Sequence, residues 1–327
     1  PDEPNPAHQP RAPTADRTGH LDRRVALMRF GFWIGNGHRW DEILRSGVRA
    51  EETGWDGLWF ADHFMPGMGA DDGPIHEAWT AISALAQATD RVRLGPLVCG
   101  NTYRNPAVLL KQAVTADHIS NGRMVLGLGA GWQENEHRAY GIEYGSFTDR
   151  FEKLEESLRV IAALRSGERA TFDGDHYRLE DAPLAPQPVG QLPILLGGGG
   201  EKKTLRMVAE YADEWNVWST PEVMVHKSAV LGEHCERLRR DPAEIERSSV
   251  ALLFLVDTDA EADKLRVHDF GRPSLIGTPG QLQEQLAAYA EAGVDELIIP
   301  DFTLGGGAEQ DETLDRFLAE VAAPFRL

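Results

Sequence analysis

Residues 193–218 read PILLGGGGEKKTLRMVAEYADEWNVW. An apolar run, Pro193–Leu196, stops at glycines, a helical pattern follows over Lys202–Tyr211, and a second β-rich run fills Glu214–Trp218. A strand that is apolar at every position belongs in a sheet buried on both faces, and a return through a helix makes that sheet parallel. The alternation extends outward in both directions. Upstream lie the strand runs Arg29–Ile34, Gly57–Phe64, Val92–Cys99 and Met124–Gly129; downstream lie Ser249–Val256 and Glu296–Asp301. Helical stretches separate them at Trp40–Thr53, Glu77–Thr89, Pro106–Ile119, Phe151–Arg165, Glu222–Arg239 and Pro279–Ala292, with a short, poorly patterned one near Ala260–His268. Eight strands with following helices fit a (β/α)₈ TIM barrel better than an open doubly wound sheet.

Two interruptions are read as insertions at the C-terminal mouth of that barrel, where loops build active sites. One is the long stretch Trp132–Thr148. The other is Ala170–Gly190, a short hairpin turning at Asp173-Gly174 and followed by a Pro-rich connector. Residues 1–27, rich in Pro, Asp and Arg, read as a flexible N-terminal extension without the apolar core of a signal peptide. Residues 28–327 then form a single barrel domain. No window approaches the roughly 20 apolar residues of a membrane span.

The 327 residues carry 52 acidic and 33 basic side chains, a net charge of −19. Nucleic acid and anionic membranes both need a basic footprint, so neither is an expected partner. Cys99 and Cys235 lie far apart, with no CxxC pair. Disulfide scaffolds and cysteine-built zinc sites are not expected, and a reducing cytoplasm is the expected compartment.

Chemistry is expected where strand ends turn polar or glycine-rich. At Gly198, Gly199 and Gly200, bare backbone N–H groups meet a helix N-terminus, an anion site into which a phosphate can settle closely. The alternative is a tight turn without a ligand, for which a run of four glycines is more than needed. LWFADHF, residues 58–64, runs apolar into Asp62 and His63. That places a carboxylate and an imidazole at the mouth, either as a proton donor or as a strand-end tether. LGPLVCGNTYRNP, residues 94–106, reads as a ligand-facing loop or a plain connector. GLGAGW, residues 127–132, is a glycine-rich strand end with room for a flat ligand. Trp40, Trp132 and Trp218 sit at strand ends and are the candidate substrate contacts; the other tryptophans are assigned to the core. Glu134, Glu136 and His137 lack metal-ligand spacing, and no metal is assigned. Asp117-His118 is read as a solvated or capping pair, and Glu152–Glu156 as a solvated helix face.

Together, residues 58–64, 91–132 and 193–218 resemble the luciferase-like monooxygenase superfamily, in particular its coenzyme F420 (deazaflavin)-dependent oxidoreductase branch. The resemblance runs from Met28 to about Val217 and more weakly beyond. It implies a barrel that binds a flavin-like ring at its mouth and a hydride transfer between reduced coenzyme F420 and a small organic substrate, with monooxygenation by reduced FMN and O2 as the alternative. It further implies that a bulge near Leu97 and Val98, often with a non-prolyl cis peptide, supports the ring, that Asp62 and His63 lie at its reactive face, and that His63 is the catalytic group. Gly129, Ala130 and Gly131 would face the cofactor, Gly198–Gly200 would hold its phosphate, and Lys202, Lys203, Arg104 and Arg39 are possible contacts for its acidic tail. A homodimer is typical of the family. One departure concerns substrate: sugar-phosphate dehydrogenases of this branch carry a glutamate where this chain has Trp132, which favours a flatter, apolar or aromatic molecule.

Overall fold

The computed structural model describes residues 27–67 and 73–326, so the extension expected at 1–27 lies, except for Leu27, outside the described residues. Eight parallel strands form a ring: β1 Arg29–Ile34, β2 Gly57–Phe60, β3 in two pieces at Arg93–Pro96 and Cys99–Gly100, β4 Leu126–Gly129, β5 Ile194–Gly197, β6 Glu214–Trp218, β7 Glu246–Val250 and β8 Glu296–Pro300. The ring closes through β3. Its first piece pairs with β2 and bridges Leu94 to Met124, and its second pairs Cys99 with Leu128. The expected (β/α)₈ barrel is therefore the observed one.

The apolar runs are explained by two packing environments. Trp33, Trp59, Leu97, Val125, Leu195, Val250 and Ile298 fill the interior of the barrel. Alternate residues such as Phe30, Phe32, Leu58, Leu126 and Leu196 belong instead to a larger cluster shared with the helices. At the N-terminal end, Glu296 accepts from Trp59 Nε1 at 2.7 Å and from Arg93 at 3.1 Å. Arg93 also pairs with Glu214, and Arg29 with Glu246. A Cβ at Gly31 or Gly57 would fall 2.5 or 2.8 Å from the Glu296 carboxylate, so glycine is what lets this charged plug fit.

Helices α1 Trp40–Thr53, α2 Ala78–Ala88, α3 Pro106–Ser120, α4 Glu134–Tyr140, α5 Phe147–Arg165, α6 Thr204–Tyr211, α7 Pro221–Leu238, α8 Asp259–Arg266 and α9 Pro279–Glu291 surround the ring, and α10 Ala308–Arg316 follows β8. Five expectations need correction. The run Ser249–Val256 is not one strand: β7 stops at Val250, and Leu252–Leu255 leaves the ring to pair in parallel with Ser274–Gly277. The stretch Trp132–Thr148 is not all loop, since it contains α4 and the start of α5.

The hairpin, Ala170–Asp173 against Arg178–Ala182, forms as expected but not at the mouth. It connects α5 to β5, and a helix-to-strand return leads back to the N-terminal end of a barrel. The hairpin turn is pinned to the outside of α5, where Glu156 accepts the N–H groups of Asp175, His176 and Tyr177 at 2.8–3.1 Å. Glu156 is thus buried under the hairpin rather than solvated. Asp117 is likewise buried, accepting from Val189 and Gly190 at 2.7 and 2.9 Å, so it anchors the connector instead of facing water. Both cysteines are free and buried, and no helix among the described residues is long and apolar enough to cross a membrane.

Candidate active site

The C-terminal strand ends bring some of the predicted residues to one face. β3 is broken by a cis peptide bond between Leu97 and Val98, the bond the resemblance pointed to. The Val98 side chain turns toward β4 and β5. A Cβ at Gly129 would lie 2.8 Å from its Cγ2, one at Gly197 equally 2.8 Å, and one at Gly127 2.0 Å from the Pro96 carbonyl oxygen. The glycines of β4 therefore make room for the β3 bulge rather than for a flat ligand. Just beyond, Asn101 is 1% exposed and its Nδ2 has no partner among the described residues, an unspent donor beside the bulge. Gly131, at φ +82°, has no room for a side chain, since a Cβ would stand 2.9 Å from Thr102 Oγ1.

His63 leaves β2 into this mouth. Its Nδ1 lies 2.8 Å from Glu136 Oε1, and the ring meets Trp132 edge-on at 5.4 Å. Glu136 is fully buried and also accepts from the Tyr103 hydroxyl and from the N–H groups of Phe64 and Met65 at 2.8 and 3.2 Å. Burial pushes the Glu136 carboxyl up, but hydrogen bonds from His63, Tyr103 and Phe64 outweigh it and hold it below the usual range. Glu136 therefore remains a carboxylate. His137 beside it is satisfied by Thr102 Oγ1 at 2.6 Å and the Gln133 carbonyl at 2.7 Å. Among the described residues no group of metal-ligating side chains forms. Sequence reasoning tested Glu136 only as a metal ligand and so missed it. The available signal was an acid after β4, next to the loop that carries Tyr103 and two strands from the one that carries His63.

Asp62 is not at the mouth surface. It is buried, gripped by Arg104 at 2.6 and 3.0 Å, and Arg104 also reaches Glu77 at 2.7 Å. That closes two expectations: Asp62 holds the base of the loop instead of touching a ring, and Arg104 is not available for an acidic tail. Arg39 is exposed and paired with Asp41.

The glycine loop stands as expected between β5 and α6. The Gly198 N–H is committed to the Asn216 carbonyl at 2.9 Å, whereas those of Gly199 and Gly200 have no acceptor among the described residues. Lys227 packs near Gly199 and binds Glu201 at 2.6 Å. Lys203 lies over Phe147 and Phe151 rather than at the loop, and Lys202 is exposed.

Of the three candidate tryptophans, two reach the mouth. Trp132 is 59% exposed above His63. Trp218 joins Trp33 and Phe302 with ring centroids 5.3–6.5 Å apart. Arg272, delivered by the insertion after β7, places its guanidinium 5.0 Å from the Trp218 ring. Trp40 instead packs on His76 and the helical layer. A second imidazole, His38, meets Asp301 at 2.9 Å. The hydrogen bond that His38 donates to the Asp301 carboxylate raises it above its ordinary value against the lowering effect of burial.

The mouth of the parallel barrel thus brings together the Leu97–Val98 bulge, a histidine held by a buried carboxylate and a glycine loop with two N–H groups that have no acceptor among the described residues. The model of the luciferase-like monooxygenase family matches residues 25–272, and the chain belongs to that family. It is 37% identical over 326 residues to an F420-dependent glucose-6-phosphate dehydrogenase of Amycolatopsis mediterranei (strain U-32), covering 87% of this chain and 94% of the relative. Its fold matches an F420-dependent secondary alcohol dehydrogenase in complex with an F420-acetone adduct at TM-score 0.80 and 22% identity, covering 92% of this chain and 100% of that one. It also matches the coenzyme F420-dependent tetrahydromethanopterin reductase of Methanopyrus kandleri at TM-score 0.76 and 17% identity, again over 92% and 100%.

Proposed function

We propose that this chain is a coenzyme F420-dependent oxidoreductase in which His63 exchanges a proton with a small organic substrate at the barrel mouth. The observation that carries the reading is His63 itself, held by the Glu136 carboxylate under the edge of Trp132 and leaving β2 beside the Leu97–Val98 bulge. The cofactor is the deazaflavin, which when bound accepts or donates a hydride. The residues fit such a group. The Gly199 and Gly200 N–H groups suit its phosphate, and the unpartnered Asn101 amide supplies a donor next to the bulge. The protein's own work is to orient both reactants, exclude water and move the proton.

For the substrate, the geometry favours a planar, largely apolar carbonyl compound or alcohol. Trp33, Trp218 and Phe302 form an aromatic wall, and Trp132 occupies the place of the acid expected in sugar-phosphate enzymes. A second reading, glucose 6-phosphate, is favoured by the Amycolatopsis relative. Titration of the apo-protein with deazaflavin and separately with FMN tests the cofactor. Tight deazaflavin binding that weakens in Gly199→Asp is expected, and a preference for FMN overturns it. Turnover is then followed through deazaflavin absorbance, with glucose 6-phosphate against cyclic enones and aryl ketones. Oxidation of the sugar phosphate would replace the aromatic reading while leaving the cofactor in place.

A further inference from the structure

The geometry points to Glu136 as the positioning residue that fixes His63 in its Nδ1–H tautomer and so makes Nε2 the one ring nitrogen that exchanges a proton at the mouth. The inference rests on the proposed role of His63 and deepens it. A carboxylate has no proton to give, so a 2.8 Å contact between Nδ1 and Glu136 Oε1 requires the ring to donate. Glu136 is a carboxylate because it is surrounded by donors: Tyr103 shares Oε1 with His63, while the Phe64 and Met65 N–H groups share Oε2. No other proton acceptor contacts His63 among the described residues, and Nε2 has no protein partner there.

The same contacts tie three loops together. Glu136 stands on α4 after β4, Tyr103 follows β3, and Phe64 and Met65 follow β2. A single buried carboxylate thus sets both the place of the loop and the direction in which its imidazole faces. With Nδ1–H committed, neutral His63 presents a bare Nε2 that takes a proton from a substrate hydroxyl, and the charged ring returns one from the same atom to a forming alkoxide. An orienting carboxylate acts on a catalytic histidine in the same way in Ser-His-Asp enzymes.

The test uses full-length protein with ¹⁵N-labelled histidine in mildly alkaline buffer, without cofactor, so that it reads the ring and not turnover. The His63 resonances, assigned by their loss in His63→Ala, are expected to show a protonated Nδ1 and an unprotonated Nε2. In Glu136→Gln they are expected to move toward a mixture of tautomers. Tyr103→Phe, which disturbs the same pocket but leaves the contact to Glu136, is expected to keep the Nδ1–H form. In turnover, Glu136→Gln should lower kcat at least ~10²-fold with little change in KM or in deazaflavin affinity. An Nε2–H ring in the unmodified protein overturns the inference, as does an unchanged tautomer in Glu136→Gln or a lost one in Tyr103→Phe. Full activity of His63→Ala would instead remove the role of His63 while leaving the tautomer result standing.

Discussion

At the scale of single residues, the site is governed by what occupies the space beside each glycine. Gly129 invites a flat ligand when read as sequence, yet the neighbouring space is filled by Val98 from across the bulge. Gly129→Ala is accordingly an overpacking change. It should cost about 1–3 kcal/mol in urea denaturation and also weaken deazaflavin binding, because Val98 must move. Gly199 is different. Its φ lies outside the left-handed region, and a Cβ would stand 3.2 Å from Val217, which must give by a few tenths of an ångström; Gly199→Asp then places a negative charge against the phosphate, and a thermal melt of the variant separates repacking from charge repulsion. An unchanged deazaflavin Kd in that variant would remove the loop from the cofactor site. His63 and the four glycines were legible because strand ends that turn polar or bare are rare within apolar runs. Glu136 was not, because nothing local distinguishes a buried acid from a solvated one.

At the scale of elements, capping and anchoring decide where the helices and the hairpin sit. α5 begins at Ser146, whose hydroxyl accepts from the Asp149 N–H while the Asp149 carboxylate accepts from the Ser146 N–H. Ser146→Ala should cost about 1 kcal/mol, read as a lower urea midpoint at constant slope. The helix was expected to start only at Phe151, but Phe147, one turn earlier, packs on the Phe151 ring at 4.6 Å and extends the same apolar face. The hairpin depends on Glu156, which takes three of its N–H groups. In Glu156→Ala those donors lose their acceptor, and amide exchange at residues 175–177 should speed up while turnover is unaffected, since the hairpin lies away from the mouth. A fall in kcat would return the hairpin to the active site.

For the whole molecule, the charged plug at the N-terminal end of the barrel links stability to pH. Burial pushes Glu214 up to about 7; Arg93 opposes this, and Glu296 and Glu246 add to it. A folded-state value above the unfolded one means the fold favours the protonated acid. That contribution is complete below about pH 4.5 and is lost as pH rises through about 7. Glu214→Gln, which mimics the protonated form, should therefore gain on the parent by up to ~3 kcal/mol between pH 4.5 and 8. Thermal melts of the two proteins across that range check it, and parallel curves would show that Glu214 is ionised throughout.

The sequence by itself determined the barrel and most of its strand ends, and through its resemblance to a known family it pointed to the cofactor class. Continuous apolar runs, glycine stops and the strand–helix alternation are local patterns with few topological solutions. Only the tertiary structure decided what those ends face. It buried Asp62 under Arg104, moved the hairpin to the outside of α5, split the run at Ser249–Val256 between two sheets and drew Glu136 onto His63. Each of these depends on contacts between residues 19 to 73 positions apart, where burial and partner, not residue type, fix whether a charge is solvated, structural or part of the chemistry.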